Sequence, residues 1–294
     1  MTEQCPVSVI ILTYNEEVNI AHCLKSALLL SNEVFVVDSY STDQTLEIAR
    51  RFTDKIYQNP WIHWAVQRNW ALDNLPLPHE WVLFLDADER LSKELCQEIK
   101  DALKHSDQGV EGYYIKRNFY FLGKWLKYGG YRKDFILRLV KKDKARSVGS
   151  GAREYVTLKG GLGRLKYPMI HDDHKDLGFW IDKHNRLAKL EAEELLRMTD
   201  KQGQSGVTIN SDTKKIEHSF RIWLREKIWI RMPIFIRPFF YFIYRYFFQL
   251  GILDGKVGFV YCFLHALWYN LLVDAKYYEI TQTKTFKRDP YKVE

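Results

Sequence analysis

The segment Trp81–Glu89 constrains this chain more than any other part of its sequence. Five apolar residues lead directly into Asp86 and Asp88, two carboxylates separated by a single alanine. An apolar run of this length is typical of a strand buried on both faces of a parallel sheet. Open α/β sheets bind ligands at the carboxyl ends of such strands. Since two neighbouring carboxylates repel each other, the segment predicts a site for a positive group, and a divalent cation carrying a diphosphate is the natural candidate.

The N-terminal third of the chain alternates strand-like and helix-like patterns. Apolar, largely β-branched runs predict strands at residues 7–13, 34–38 and 81–85, and residues 55–57 are expected to form a further, short strand. Between these runs, apolar residues recur at helical spacing, and we expect Asn15 to cap the first helix. The alternation predicts an α/β fold with a mostly parallel sheet, flanked by helices and built from right-handed crossovers.

Beyond Gly112 the pattern changes. Strand-like runs joined by glycine- and lysine-rich loops follow at residues 113–121, 135–140 and 155–158. A helix is expected over residues 177–198, where apolar residues recur at helical spacing. The second part of the sheet is therefore expected to differ from the first.

Composition narrows the class of protein. With 46% hydrophobic and 28% charged residues, a chain of 294 residues can bury a full core and is globular. The four cysteines show no CxxC spacing, which argues against a disulfide framework or a zinc site and suits a reducing cytoplasm. The apolar run 7–12 is too short for a signal peptide and lacks a basic flank.

Positive charge is concentrated in the C-terminal part of the chain. Between Lys214 and Lys256, nine lysines and arginines and three acidic residues account for six of the seven net positive charges. Twelve of the twenty-nine residues at 220–248 are aromatic. Residues 201–213 are rich in polar residues and glycine, which is typical of a linker. Residues 214–294 are accordingly predicted to form a basic, amphipathic, aromatic-rich helical segment.

This composition fits helices that lie in a membrane interface, with aromatic rings at headgroup depth and basic side chains on anionic lipid. Two alternatives stay open: a soluble helical subdomain packed on the core, and a spanning helix. The uncharged run 257–273 has 17 residues, fewer than the roughly 20 that a spanning helix needs. Nucleic acid is not expected as a partner, because residues 235–248 are too apolar.

Three motifs, in this order and spacing, resemble those of the family 2 glycosyltransferases. They are Val-Ile-Ile-Leu-Thr-Tyr-Asn-Glu-Glu at 9–17, Val-Val-Asp-Ser-Tyr-Ser-Thr-Asp-Gln-Thr at 36–45 and Phe-Leu-Asp-Ala-Asp-Glu at 84–89. The resemblance is greatest to bacterial enzymes of lipopolysaccharide core and surface polysaccharide synthesis. It implies a GT-A, Rossmann-like fold, a nucleotide-sugar donor and a divalent cation. The catalytic domain is then expected at 1–200, with a nucleotide-sugar half at about 1–110 and an acceptor half at about 111–200.

The resemblance also implies donor-binding residues. Thr13 and Tyr14 would lie beside the nucleobase, and Asp38 would accept a hydrogen bond from it. Arg68 lies in a helix where such enzymes place a cation near the nucleotide. Structural alternatives stay open for two of these residues: Asp38 could cap a strand end or helix, and Arg68 could be a solvated helix charge.

The metal site is implied in the same way. Asp88 would bind Mg²⁺ or Mn²⁺ directly, and Asp86 would bind the ribose or a water on the metal. His171, in the sequence His-Asp-Asp-His, resembles the histidine that follows the last core strand in relatives and would complete the metal shell. An ordinary loop histidine is the alternative for His171.

The acceptor hydroxyl needs a base on the opposite face of the sugar. Glu154 is the candidate, although this chain has Arg-Glu where related enzymes often have His-Glu; Asp134 is a second candidate. Arg138 and Lys141 are expected to be strand-edge charges, with diphosphate contact as the alternative. The polar helix turn 183–186 either faces the acceptor or is a solvated face.

The resemblance thus predicts a metal-dependent, inverting enzyme that moves a hexose, glucose as the first guess, from a UDP-sugar to a lipid-linked saccharide. It would act in the cytoplasm, peripherally at the inner face of the bacterial cell membrane. One rival is a nucleotidyltransferase, but the loop at 13–17 is acidic and contains no glycine for holding a triphosphate. A second rival is a non-catalytic membrane adapter, against which the intact acidic pair argues.

Overall fold

The computed structural model describes the chain in four stretches: residues 5–104, 109–150, 153–201 and 232–288. The chain forms two compact units, the first made of residues 1–127 and 131–175 and the second of residues 128–130 and 176–294. The predicted linker lies outside the described residues except for Lys201, and so does the aromatic segment up to Arg231. The predicted domain limits therefore stay a prediction.

Four parallel strands and their helices build the N-terminal part of the first unit. In spatial order β3, β2, β1, β4, the strands are β1 (Val7–Thr13), β2 (Val34–Asp38), β3 (Ile56–Gln58) and β4 (Trp81–Asp86). The helices are α1 (Ile20–Ala27), α2 (Thr45–Ala49), α3 (Trp64–Asn74) and α4 (Lys93–Lys104). The strand–helix alternation predicted from the sequence is present.

The carboxyl ends of β1, β2 and β4 lie side by side. Thr13 at the end of β1 pairs with Asp38 at the end of β2, and Leu12 pairs with Asp86 at the end of β4. Because parallel strands run in the same direction, the loops that follow them emerge at one edge of the sheet. The register therefore brings the three sequence motifs together.

The rest of the first unit consists of strands of mixed direction, most of which extend the sheet. These are β5 (Glu89–Arg90), β6 (Val110–Phe121), β7 (Lys124–Leu126), β8 (Phe135–Lys141), β9 (Ala145–Ser150), β10 (Arg153–Leu158), β11 (Gly161–Arg164) and β12 (Met169–His171). Strands β9 and β10 pair only with each other, in a separate two-stranded sheet. Strand β8 lies antiparallel between β4 and β6, while β12 pairs with both β6 and β5. Helices flank this mixed sheet in a GT-A-like arrangement, which confirms the predicted fold class.

Both faces of the central strands are covered. Alternate residues of a strand point to opposite faces, so Ile11 and Leu83 join one buried cluster while Ile10 and Phe84 join the other. Since neither face meets water, the strands have to be apolar throughout. This is the physical reason for the continuous apolar runs in the sequence.

The second unit is helical and contains the predicted aromatic-rich C-terminal segment. Its α-helices are α5 (Leu177–Lys201), α6 (Arg237–Ile243), α7 (Gly255–Tyr261) and α8 (Tyr269–Arg288). Two π-helical stretches (Tyr244–Phe248 and Cys262–Trp268) and a 3₁₀ turn (Gly251–Asp254) join the last three helices. Helix α5, which we assigned to the catalytic domain, packs on α8 in this unit.

Small residues allow α5 and α8 to pack closely. Ala188 and Ala192 of α5 are buried against Tyr269 and Val273 of α8. The helical stretch from Gly251 to Gln282 is 32 residues long and apolar enough to cross a membrane by length and composition. Its most apolar window has a mean hydropathy of 1.3, and 39% of that window is buried inside the protein.

Replacement of Leu83 by alanine should test the contribution of the central strand. Leu83 is fully buried, so we expect the free energy of unfolding to fall by about 2–5 kcal/mol through lost burial and a residual cavity. Leu29→Ala is the matched control, because Leu29 is 46% exposed and should change stability by no more than about 0.5 kcal/mol. Urea unfolding measures both; equal losses would contradict this assignment of the core.

Candidate active site

The first two motif loops are joined by hydrogen bonds at the edge of the sheet. Helix α1 begins at Ile20, so the expectation that Asn15 caps it is wrong. The backbone N–H of Asn15 instead donates to Ser41 Oγ at 2.9 Å, and its side-chain oxygen accepts from the Thr42 N–H at 2.8 Å. Asn15 and Tyr40 both have positive φ, 52° and 60°. Such strained residues concentrate at functional sites.

Asp38 is fully buried and supports the second loop. Its carboxylate accepts hydrogen bonds from the Ser41 N–H at 2.9 Å, from the Ser41 hydroxyl and from Gln58 Nε2 at 3.1 Å. This is the strand-end role that we left open for Asp38. A carboxylate has about four acceptor positions, and three hydrogen bonds leave room for one more. The contact of Asp38 with a nucleobase stays a prediction.

Thr13 and Tyr14 differ in exposure at the end of β1. Thr13 is buried, and its Oγ1 has no hydrogen-bond partner among the described residues. A buried hydroxyl without a partner carries a desolvation cost that a bound ligand could remove. Tyr14 is 52% exposed, so its ring is accessible. These two environments are compatible with the predicted nucleobase contacts.

Asp86 is bound by two arginines. Arg138 pairs with both of its carboxylate oxygens, and Arg68 Nη2 lies 3.3 Å from Oδ1. Burial raises the pKa of Asp86, but the charges of Arg138 and Arg68 outweigh burial and lower this pKa to about 2. The carboxylate is therefore ionised and engaged with protein cations. Its predicted roles at the ribose and the metal stay predictions.

Glu89 completes this charged cluster and was missed by the sequence reasoning. It is fully buried, accepts from Arg138 Nη2 at 2.8 Å and accepts the Asp86 backbone N–H at 2.9 Å. Arg138 is also buried and belongs to β8, an interior strand; the expected strand-edge role is wrong for this residue. A lone arginine in the apolar run Phe-Ile-Leu-Arg-Leu-Val is the signal that could have indicated the cluster.

Asp88 faces His171 of β12. His171 Nε2 lies 3.3 Å from Asp88 Oδ2. Burial lowers the pKa of His171, but the Asp88 carboxylate more than compensates and raises this pKa above its ordinary value. Among the described residues, no third histidine, cysteine, aspartate or glutamate joins this pair.

The pair fits a divalent cation that is shared with a substrate. Mg²⁺ is usually bound by one or two carboxylates plus substrate phosphates and water, with bonds of about 2.0–2.1 Å. Two ligands on neighbouring corners of such an octahedron lie about 3 Å apart, close to the observed Asp88–His171 separation of 3.3 Å. Because both oxygens of Asp86 are bound by Arg138, Asp88 and His171 are the better candidates for ligands.

The loop that contains His171 is tied to the other motif loops. Asn19 donates from Nδ2 to Asp173 Oδ1 at 2.8 Å and accepts the His174 N–H at 3.0 Å. Lys175 bonds Glu16 at 2.5 Å. Burial raises the pKa of Glu16 to about 7, assisted by the nearby Asp88 charge and opposed by Lys175. These contacts fix the position of the loop, and sequence reasoning gave none of them this role.

The candidate bases have different surroundings. Asp134 is ion-paired with Arg117, whose Nε donates to Asp134 Oδ2 at 2.9 Å. Glu154 lies in β10 opposite Gly149 of β9, and its side chain lies outside the described part of the chain.

Two other predicted positions have partners within the protein. Lys141 pairs with Glu80 at 2.9 Å. His184, in the polar turn of α5, stacks on Trp180, and burial lowers its pKa to about 4.

Comparison with known proteins identifies the family. The model of glycosyl transferase family 2 matches residues 8–155, about half of the chain, from the second residue of β1 into β10. The chain belongs to this family, and it is accordingly an enzyme that transfers sugars. The resemblance inferred from the three motifs is confirmed.

Individual relatives match parts of the chain. The lipopolysaccharide core biosynthesis glycosyltransferase LpsC of Rhizobium meliloti is 28% identical over 66% of this chain and 73% of its own length. An uncharacterized glycosyltransferase of Rickettsia conorii is 39% identical, but the match covers only 37% of this chain and 39% of that protein. The crystal structure of S. aureus TarS 1–349 superimposes with a TM-score of 0.46 at 14% identity, over 94% of this chain and 91% of that one.

Replacement of Arg138 by methionine should destabilise the first unit strongly. Two carboxylates would stay buried without their main counter-charge, so we expect the free energy of unfolding to fall by about 3–5 kcal/mol at pH 7. In the native protein, the lowered pKa of Asp86 gives stability that is present above about pH 4 and lost as the pH falls to about 2. The Arg138→Met variant should lack this acid-induced loss of stability. Its free energy of unfolding should instead rise as the pH falls from 7 to 5.

Urea unfolding at pH 7, 5 and 3 measures this effect. Arg146→Met is the matched control, because Arg146 pairs with Asp73 at an exposed position and should change stability by less than about 1 kcal/mol at every pH. If the two variants had equal stability and equal pH profiles, the buried cluster would not carry the proposed energy.

Proposed function

We propose that this glycosyltransferase is an inverting enzyme that moves a hexose from a nucleoside diphosphate sugar, UDP-glucose as the first guess, to a lipid-linked saccharide. The acceptor would belong to lipopolysaccharide core or surface polysaccharide synthesis, as the name of the relative LpsC suggests. The observation that carries the proposal is the Asp88–His171 pair at 3.3 Å, beside the loops that hold Thr13 and Asp38. A cation held by this pair would neutralise the diphosphate of the donor.

The donor would bind at the joined motif loops. The unpartnered Thr13 hydroxyl and the exposed Tyr14 ring would contact the nucleobase, with Asp38 accepting a hydrogen bond from it. Asp86 would accept hydrogen bonds from the ribose while Arg68 and Arg138 keep it ionised. A carboxylate already held by two cations costs little further ordering when a ligand arrives.

Asp88 and His171 would hold Mg²⁺ or Mn²⁺. When bound, such a cation offsets the negative charge that grows on the departing diphosphate and orients the donor. The loop contacts of Asn19 and Lys175 would keep His171 in place during binding. Glu154 would take the proton from the acceptor hydroxyl as that oxygen attacks the sugar.

The enzyme would act in the cytoplasm as a peripheral protein on the anionic inner face of the bacterial cell membrane, where a lipid-linked acceptor is accessible. Support comes from the aromatic C-terminal segment and from its basic residues other than Arg237 and Arg245, which are buried. Each basic residue near an anionic leaflet contributes about 1 kcal/mol of attraction.

Replacement of Asp88 by alanine should abolish transfer while the fold is retained. Loss of a metal ligand removes several kcal/mol of charge stabilisation, so we expect turnover to fall at least about 1,000-fold. Radiolabelled sugar transfer measures turnover, and circular dichroism checks the fold. Asp54→Ala, at an exposed carboxylate of the same unit, is the matched control and should retain full activity.

Titration calorimetry with UDP, with and without Mn²⁺, separates the enzyme from a non-catalytic adapter. The native protein and Asp54→Ala should bind UDP more tightly with the metal, and Asp88→Ala should lose this dependence. Unchanged turnover in Asp88→Ala would refute its role at the metal, and absence of metal-dependent binding in the native protein would favour the adapter.

Replacement of Glu154 by glutamine should lower turnover about 100- to 10,000-fold, because a general base contributes that much. The affinity for UDP should not change, since the base acts on the acceptor. Asp134→Asn is the comparison: its carboxylate pairs with Arg117, so it should lower stability more than turnover. If Asp134→Asn lost turnover and Glu154→Gln kept it, the assignment of the base would be reversed.

A further inference from the structure

An aromatic face lies on the helical hairpin formed by α6, α7 and the π-helical stretches after each of them. Phe239, Ile243 and Phe247 follow one another at intervals of four residues, and so do Phe240, Tyr244 and Phe248. This spacing places them on one side of a helix, and all of them are exposed; Phe248 reaches 75%. The first arm of the hairpin therefore presents large apolar side chains to its surroundings.

The second arm continues this surface. Ile252, Leu253, Phe259 and Phe263 are also exposed, Leu253 to 60%. The two arms are in contact, because the Phe242 ring packs edge-on against Phe259 at a centroid distance of 6.3 Å. A soluble protein rarely exposes so many neighbouring large apolar residues unless they form a binding surface.

Apart from the exposed Lys256 of α7, the charged residues of the hairpin are directed inward. Between Met232 and Gly255 the charged residues are Arg237, Arg245 and Asp254, and each is at most 5% exposed. Arg237 forms an ion pair with the buried Asp274, Arg245 Nε donates to the Gly129 carbonyl at 2.6 Å, and Asp254 accepts the N–H of Tyr128 at 2.9 Å.

The expectation that basic side chains of the aromatic segment contact anionic lipid is therefore wrong for Arg237 and Arg245. Their cationic groups are bound inside the second unit, Arg237 to Asp274 of α8 and Arg245 to the Gly129 carbonyl. The outer face of the hairpin is left with apolar and aromatic side chains, and Lys256 at the start of α7 is the one exposed charge among its described residues. Any partner of this face has to be apolar, since a polar partner would lose hydrogen bonds to water without replacement.

We propose that this hairpin face inserts into the apolar layer of one membrane leaflet and anchors the enzyme by burial of its phenylalanine, leucine and isoleucine side chains. The inference builds on the lipid-linked acceptor of the proposed function but differs in mechanism, because the anchoring does not depend on lipid charge. Interfacial helices bury their apolar face about 5–10 Å into the headgroup and acyl boundary. The hairpin residues are suited to that depth.

Insertion from one side is favoured over spanning. The helical stretch Gly251–Gln282 includes α8, and the first half of α8 packs on α5. Helix α5 exposes charged side chains at Asp182, Arg186, Lys189 and Arg197. A spanning α8 would carry these charges into hydrocarbon, which is costly. The hairpin face can enter a leaflet while α5 stays in water.

A lipid layer also fits this face better than a second copy of the chain. Interfaces between proteins carry about one hydrogen bond per 100–200 Å² and a polar rim. Most exposed side chains of this face, Phe239, Phe240, Phe247, Phe248 and Leu253 among them, offer no hydrogen-bonding group. The exposed Tyr244 adds one hydroxyl, which accepts from Gln249 Nε2 at 3.1 Å within the protein. Hydrocarbon requires no hydrogen bonds, so the composition of the face matches a bilayer.

Vesicle sedimentation with the full chain tests the proposal. The vesicles are pure phosphatidylcholine, or phosphatidylcholine with phosphatidylglycerol, each at 0.1 M and 1 M salt. We expect binding to neutral vesicles that persists at 1 M salt. The double variant Phe240→Glu/Phe248→Glu should bind neutral vesicles at least about tenfold more weakly, since two inserted apolar side chains are lost. Leu29→Glu, an exposed leucine of the first unit, should bind like the native chain.

Four results would overturn the inference. They are no binding of the native chain to neutral vesicles, loss of that binding at 1 M salt, equal binding by the double variant, or a dimer in sedimentation velocity that the double variant removes while vesicle binding stays unchanged.

Metal-dependent UDP binding, measured in the same preparations, is independent of the hairpin. If UDP binding is retained and neutral-vesicle binding is lost, the inference fails alone; the reverse pattern removes the proposed function and leaves the anchor.

Discussion

The ion cluster of Arg138, Asp86 and Glu89 is the interaction on which the rest of the site depends. Arg138 lies on β8, whereas both carboxylates lie at the end of β4 and the start of β5, so one guanidinium joins the parallel and the mixed parts of the sheet. Buried charges are tolerated only when they are paired and hydrogen-bonded. Glu89 also accepts the backbone N–H of Asp86, which fixes the turn that presents Asp88.

Charge balance then explains how two neighbouring aspartates acquire different surroundings. Asp86 is neutralised by Arg138 and Arg68, while Asp88 faces His171, which β12 brings beside β5. Asp86 therefore belongs to the buried ion cluster, and Asp88 is the carboxylate that we propose as a metal ligand.

Pairing of buried charges also shapes the second unit. Its hairpin buries two arginines, Arg237 with Asp274 and Arg245 on a backbone carbonyl, and leaves phenylalanines exposed. Such an arrangement is unfavourable in water but suits a lipid surface. Arginines in an aromatic segment are therefore ambiguous in a sequence, because they can bind lipid phosphates or hold the helices together from within.

The sequence by itself determined the parallel half of the fold, the position of the motifs at the ends of β1, β2 and β4, and the family, because apolar periodicity and short motifs are local properties. Tertiary structure decided what local patterns do not contain: the antiparallel insertion of β8, the burial of Glu89 and Arg138, the loop contacts of Asn15, and the inward direction of Arg237. Each of these depends on residues distant in the chain, as in the Arg138–Glu89 contact, 49 positions apart. A charged side chain takes its role from the partner that folding brings to it, and a single sequence does not specify that partner.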